Sequence, residues 1–265
     1  MQEATVKKYR VVSVDLSSGH YDRFIEQIIE LARVRISSYI CVANAHMTIE
    51  AWQNPDFATV VNCADIVTPD GMPLVKSLKL LYGIEQDRVA GMDLLPGLIA
   101  EAELIGLSLF FYGSTDDVLC KITERVGHDH PGVRIAGTYS PPFRVLSERE
   151  ERGIVEEINN SDANIVMVAL GCPKQEIWMA RHKGKINAVM LGVGGAFTVY
   201  AGTQSRAPEW MQLCSLEWLY RLCQEPRRLF KRYLVTNTLF LVLLAWEFVV
   251  AKVGNLLRKK KTKKC

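Results

Sequence analysis

The stretch YICVANAHMTIEAW, residues 39–52, decides the fold class of this 265-residue chain. Residues 39–42 form a short apolar run that predicts a buried strand, and residues 47–52 continue with helical spacing. Six similar apolar runs recur, so strands are predicted at 9–14, 39–42, 65–68, 108–112, 133–139, 165–169 and 188–191. Helical patterns lie between them, at 21–35, 116–126 and 148–159 among others. This alternation predicts an α/β fold whose mostly parallel sheet carries helices on both faces. Ligands of such folds bind beyond the carboxyl ends of the strands.

The charge of the chain is distributed unevenly. The net charge is +3, yet the residues from Arg221 onward contain twelve Lys or Arg and two acids, a net of +10. The preceding residues hold 20 basic and 27 acidic side chains, a net of −7. An acidic body with a basic tail indicates that the tail meets an anionic partner: a phospholipid surface, a pyrophosphate or a nucleic acid.

Cysteine usage and the N-terminus indicate a cytoplasmic protein. The seven cysteines include no CxxC pair, which disfavours a disulfide framework or a zinc site. The first ten residues lack the apolar run of a signal peptide. A reducing compartment is therefore expected.

The sequence changes character after Pro208, where it becomes rich in Trp, Leu and Arg. We therefore predict an α/β core over 1–206, with a turn-rich internal division near 137–142, and a helical appendage over 207–265. The apolar segment 233–251 is interrupted by Glu247, and a spanning helix needs roughly 20 apolar residues. This favours a helix lying on the membrane, although a short transmembrane span stays open. The polybasic tail 258–264 suits an anionic leaflet.

Two other interpretations of the tail remain. It could be solvated, or it could bind nucleic acid. The basic residues follow an apolar run and lack interleaved aromatic side chains, which disfavours a nucleic-acid partner. We therefore predict the cytoplasmic face of a membrane as the location of this protein, with no nucleic acid bound.

Several residues at predicted strand ends could carry chemistry. Asp70, in the sequence PDG, is either part of a tight turn or a general base for a sugar hydroxyl. Asn44 is either a helix cap or a hydrogen-bonding partner of sugar or nucleotide hydroxyls. Gly194 and Gly195, in GVGGAF, would let backbone N–H groups approach a phosphate. Gln175, in GCPKQE, would lie at the positive end of a helix, unless this stretch only initiates that helix.

Neither a cofactor nor a metal is expected. Phe197 replaces the third glycine of a GxGxxG fingerprint, which disfavours an NAD-dependent oxidoreductase. The chain contains no DxD sequence, and the histidines of HDH, 128–130, lack a third ligand. Without a divalent ion, a departing pyrophosphate must be neutralised by cationic side chains. These concentrate at Arg206, Arg221, Arg227, Arg228, Lys231 and Arg232, although such residues could also form a solvated helical face.

Taken together in order, six blocks resemble the WecG/TagA/CpsF glycosyltransferase family over residues 40–233. They are ANAHMTIEAWQNPDF, ADIVTPDGMPLV, RVAGMDLL, GCPKQEIWMARH, GVGGAFTVYAG and RAPEWMQLCSLEWLYRLCQEPRRLFKRY. The resemblance implies a Rossmann-like fold and an inverting, metal-independent enzyme. Such enzymes transfer a sugar, often N-acetylmannosamine, from UDP to a polyprenyl-diphosphate-linked acceptor for bacterial cell-wall polymers or exopolysaccharide.

The resemblance also implies roles for individual residues. Asp70 matches the proposed catalytic base, and Asn44 matches an asparagine that shapes the active site. Arg88 and Gln175 match pocket residues. The cations of the membrane-associating appendage, which is thought to complete the site over the diphosphate, match Arg221, Arg228 and either Lys231 or Arg232.

This sequence departs from the family pattern at two positions. Val42 stands where many members have Thr, and Thr198 stands where Asp is common. Both bear on the donor sugar, which we predict to be N-acetylmannosamine or another hexose. The alternative from another class is a non-catalytic, membrane-associated α/β scaffold that binds nucleotides. Whether the chain forms a homo-oligomer stays open.

Overall fold

The computed structural model describes residues 7–262. The side chains of Arg228 and of the polybasic segment 258–264 lie outside the described residues. The strands are β1 (Lys8–Val11), β2 (Val14–Ser17), β3 (Ser38–Ala43), β4 (Ile66–Pro69), β5 (Ser108–Gly113), β6 (Arg134–Tyr139), β7 (Ile165–Ala169) and β8 (Val189–Gly192). The helices are α1 (Tyr21–Arg33), α2 (Ala45–Gln53), α3 (Pro55–Asn62), α4 (Met72–Tyr82), α5 (Gly91–Ile105), α6 (Asp116–Asp129), α7 (Glu148–Asn160), α8 (Lys174–His182), α9 (Ala196–Tyr200), α10 (Glu209–Leu213), α11 (Glu217–Gln224) and α12 (Pro226–Thr262).

A six-stranded parallel sheet in the order β4-β3-β8-β7-β5-β6 confirms the predicted α/β fold. Its six strands overlap the six predicted apolar runs from 39–42 onward. The central strands are buried on both faces, because helices cover each side. Phe110 and Phe111, adjacent in β5, belong to opposite cores for this reason.

The prediction of one strand over 9–14 is wrong. The chain reverses there and forms an antiparallel hairpin of β1 and β2, separate from the main sheet. The reversal uses Val12 at φ 58°, a left-handed conformation that β-branched residues rarely adopt. Residues 9–14, YRVVSV, contain no Gly, Pro, Asn or Asp, and Ser13 alone among three valines is a weak turn signal.

The C-terminal helix α12 rests on the α/β core. It packs against α2 and α4, with Thr236 and Phe240 buried. Farther along, the Oε2 atom of Glu247 accepts a hydrogen bond of 2.9 Å from the backbone N–H of Val12. The acid that interrupts the apolar run is therefore bound to the hairpin. Within α12, Leu229–Val253 is long and apolar enough to cross a membrane, judged by length and composition alone.

Replacing Phe240 by Ala tests this docking. A buried Phe→Ala change costs about 3–5 kcal/mol, so α12 should detach more readily from the core. Hydrogen exchange of the α12 amides should accelerate in Phe240→Ala. The neighbouring Leu241→Ala is the matched control, because that side chain is 63% exposed and should change exchange little. Equal exchange in the two variants would contradict the docked arrangement.

Candidate active site

Asn44 and Asp70 lie side by side at the carboxyl edge of the sheet. The parallel pairing of β3 with β4 aligns Ala43 with Pro69, and the N–H of Asp70 donates to the Ala43 carbonyl at 2.8 Å. The Asn44 Oδ1 atom caps α2 by accepting from the N–H of Met47 at 3.1 Å. Its side chain also hydrogen-bonds Asp70. Asn44 can therefore cap α2 and take part in the candidate site at the same time.

Arg88 ties the core to the C-terminal segment. The backbone of Val89 is hydrogen-bonded to β4, which keeps residue 88 near the same sheet edge. The Nη2 atom of Arg88 donates to Asp93 at 2.9 Å and to Gln212 at 2.8 Å. Its Nη1 atom donates to Glu217 at 2.9 Å. One guanidinium therefore joins α5, α10 and α11.

Two cavities meet at Asp70. One, of about 150 Å³, lies under the C-terminal segment and includes Trp218 and Tyr233 in its wall. The other, of about 370 Å³, lies beyond the ends of β3, β7 and β8 and includes Gln175 and the glycine loop 192–195. Both cavities are lined by Asn44, His46, Asp70, Glu217, Arg221 and Arg232. A carboxylate at this junction can contact ligands in both.

The glycine loop is packed against Gln175. A Cβ atom on Gly192 would lie 2.9 Å from the Gln175 Nε2 atom, so only glycine fits there without displacing the amide. Gly194 adopts φ +50°, which also favours glycine. On the open side, a Cβ on Gly195 would approach Arg221 Nη2 to 3.7 Å. The loop therefore lies between the Gln175 amide and a guanidinium.

The Gln175 side chain is itself held in place. Its Oε1 atom accepts from the N–H of Gly171 at 3.2 Å, and its Nε2 atom donates to the buried Glu176 at 2.8 Å. Burial raises the pKa of Glu176 to about 7. Gln175 thus shapes the larger cavity, and its contact with a substrate stays a prediction.

The environment of Asp70 raises its pKa to about 6. The largest cause is burial, and the nearby charge of Glu217 adds to it. Arg88, Arg221 and the hydrogen bond from Asn44 act in the opposite direction. A carboxylate with this pKa is mostly ionised at neutral pH and is more basic than an ordinary aspartate.

The predicted cations differ in their placement. Arg221 and Arg232 line both cavities, and the buried Nε atom of Arg232 has no hydrogen-bond partner among the described residues. Lys231 is exposed and lines neither cavity, so the geometry favours Arg232 of that pair. Arg206 is bound to Asp93 and lines a neighbouring cleft whose wall does not include Asp70.

Sequence reasoning missed two residues at the junction. Neither Glu217 nor His46 was predicted as a site residue. Burial and the charge of Arg232 lower the pKa of His46 to about 4, so its imidazole is neutral at physiological pH. The proximity of His46 to Asn44 in ANAH was the available signal. Glu217 is one of three acids in the cation-rich stretch 206–232, with Glu209 and Glu225, so no sequence signal distinguished it.

Among residues 7–262, no group of three His, Cys, Asp or Glu side chains could hold a metal ion. Metal independence itself stays a prediction.

Residues 9–253 match the model of the glycosyl transferase WecG/TagA/CpsF family. The chain belongs to this family. It is therefore a glycosyltransferase, which confirms the resemblance and sets aside the non-catalytic scaffold. Its family places it in the synthesis of bacterial cell-surface polysaccharide.

Two similar proteins carry the same name, N-acetylglucosaminyldiphosphoundecaprenol N-acetyl-beta-D-mannosaminyltransferase. The one from Bacillus spizizenii is 37% identical over 192 residues, which cover 72% of this chain and 73% of the relative. The one from Bacillus subtilis is 29% identical over 229 residues, which cover 86% of each chain.

Replacing Asp70 by Asn should stabilise the enzyme at high pH. Because its pKa is raised, the folded state binds this proton more tightly than the unfolded state does. The resulting stability is present below about pH 4 and is lost as pH rises through about 6. Asn does not ionise, so Asp70→Asn should keep this stability contribution at pH 8. Its unfolding midpoint should be higher by about 2–4 °C for each kcal/mol kept.

Thermal unfolding of both proteins from pH 5 to pH 8 measures this difference. Glu209→Gln removes an exposed acid from α10 and controls for net charge. A stability difference that does not grow with pH would contradict the raised pKa.

Proposed function

We propose that this enzyme transfers N-acetylmannosamine or another hexose from a UDP-sugar to a polyprenyl-diphosphate-linked acceptor. The transfer inverts the anomeric configuration and needs no metal ion. The observation that carries the proposal is Asp70 at the junction of two cavities, with three arginines (88, 221 and 232) around it. The names of both similar proteins specify an N-acetylglucosaminyl-diphosphoundecaprenol acceptor, which supports this acceptor class.

The chemistry requires one base and a site for the leaving group. An acceptor hydroxyl gives its proton to the Asp70 carboxylate while its oxygen bonds to the anomeric carbon. The bond from that carbon to UDP breaks, and the electron pair stays on the β-phosphate oxygen. Attack from the face opposite the leaving group inverts the configuration. A general base of this kind contributes about 10²–10⁴-fold to the rate.

The two cavities suit the two substrates. The larger cavity offers the glycine loop and Arg221, which fit the diphosphate of a UDP-sugar. The smaller one lies under the C-terminal segment, and its aromatic residues Trp218 and Tyr233 suit an acceptor sugar on a lipid carrier. The acceptor hydroxyl and the anomeric carbon would then meet next to Asp70.

Arginines would neutralise the departing UDP in place of a metal ion. Arg221 reaches the glycine loop, and Arg232 has a buried nitrogen without a hydrogen-bond partner among the described residues. A buried donor left unpaired costs free energy, which an arriving phosphate oxygen would recover. These features support the metal-independent mechanism.

The C-terminal helix would bind the cytoplasmic face of the bacterial plasma membrane. Large apolar side chains are exposed along α12 and on α10, among them Trp210, Leu213, Leu234, Leu241, Val242, Trp246, Val249 and Val250. Phe240 and Glu247 hold the opposite side of α12 on the core. A helix docked in this way lies on the membrane rather than across it, close to a lipid-linked acceptor.

Asp70→Asn should lower kcat by about 10²–10⁴-fold and leave UDP binding nearly unchanged. In the unaltered enzyme, kcat/KM should rise with pH through about 6 as Asp70 ionises. UDP release from a panel of UDP-sugars, with a polyprenyl-diphosphate-linked acceptor, measures both effects and identifies the donor. Unchanged turnover by Asp70→Asn would remove Asp70 from the mechanism.

Acidic substitutions on the exposed side of α12 test the membrane contact. The double variant Leu241→Asp and Trp246→Asp should lose binding to phosphatidylglycerol vesicles, because both side chains are more than 60% exposed. It should still bind UDP. The control is Leu104→Asp, which alters an exposed apolar residue of α5. Equal vesicle flotation of the double variant and the control would contradict this orientation.

A further inference from the structure

Glu217 lies between two arginines of the site. Its Oε2 atom accepts a hydrogen bond of 2.9 Å from Arg88 Nη1, and its Oε1 atom is 3.6 Å from Arg221 Nε. The side chain is 25% exposed and lines both cavities that meet at Asp70. A carboxylate therefore occupies the cationic region in which the proposed function needs a diphosphate.

This placement is not required to hold Arg88. The same guanidinium is bound by Asp93 and by Gln212 through its other terminal nitrogen. Arg88 would keep these two partners if Glu217 moved away. Arg221 also donates from Nη2 to the Met92 Sδ atom at 3.8 Å, and it lies near the glycine loop at Gly195.

Glu217 also has an unfavourable neighbour. It lies close enough to Asp70 for its charge to raise the pKa of that carboxyl. Two carboxylates in one partly buried site repel each other, which costs free energy. Arg88, Arg221 and the positive N-terminal end of α11 offset this repulsion. A stronger anion could take the place of the carboxylate.

We propose that the Glu217 carboxylate occupies the binding position of a substrate diphosphate in the free enzyme. When that substrate binds, Glu217 moves out of this position. The inference rests on the proposed function. Guanidinium groups bind carboxylates and phosphates with the same bidentate geometry, and a diphosphate offers more charge and more oxygens than one carboxylate. Glu217 thus occupies the two arginines in the free enzyme and lowers the affinity for diphosphate ligands. Because Glu217 begins α11, a small movement of this helix would withdraw it.

The test is the affinity of variants that lack the Glu217 charge. Glu217→Gln should bind diphosphate ligands about fivefold more tightly than the unaltered enzyme, which corresponds to about 1 kcal/mol. Glu217→Ala, a second variant, should shift affinity in the same direction. Glu209→Gln removes the same charge from an exposed position on α10 and should change nothing.

Calorimetric titrations with three ligands distinguish the source of the diphosphate. UDP reports the donor side, a short-chain prenyl diphosphate reports the acceptor side, and uridine lacks phosphate and should bind all variants equally. Tighter binding of UDP alone, or of the prenyl diphosphate alone, assigns the site to that substrate. Equal or weaker binding of both diphosphates by both Glu217 variants overturns the inference.

Failure of the inference can be separated from failure of the proposed function. If the unaltered enzyme binds UDP and turns over but the Glu217 variants bind no more tightly, only the inference is lost. If the unaltered enzyme binds neither diphosphate and transfers no sugar, the proposed function fails, and the inference falls with it.

Discussion

Ala43 pairs with Pro69 across β3 and β4, and this register places Asn44 and Asp70 side by side where the chain leaves the sheet. Both strands are parallel and fully buried, so their carboxyl ends meet at one edge. A slip of one residue would turn buried side chains to the opposite face, which the two cores prevent. The position of the proposed base is thus set by the strand pairing and packing of the sheet.

The C-terminal segment closes over this edge through Arg88, which links Asp93 in the core to Gln212 and Glu217. The same closure partly buries Asp70 and raises its pKa. The burial of Asp70 and its increased basicity therefore have one cause. Because an ionised carboxylate is unfavourable at this buried position, it lowers the stability of the folded enzyme at neutral pH. In our proposal, membrane docking of α12 brings this closed site to a lipid-linked acceptor.

The sequence predicted the features that depend on local pattern. Apolar runs located the strands of the main sheet, and strand-end positions singled out Asn44 and Asp70. The hairpin at Val12 was missed because a β-branched residue at positive φ leaves no compositional trace. The side of α12 that packs on the core was not predictable, because a continuous apolar run has no helical periodicity.

Ion pairs between residues far apart along the chain were not predictable from the sequence either. Arg88 and Glu217 are 129 residues apart, and Arg206 and Asp93 are 113 apart. In the proposed mechanism, sugar transfer is a single displacement assisted by one base, Asp70. The anomeric configuration of the product, read from the one-bond carbon–proton coupling at the transferred sugar, tests it most directly. A single displacement predicts a configuration opposite to that of the UDP-sugar. A product with retained configuration would contradict it.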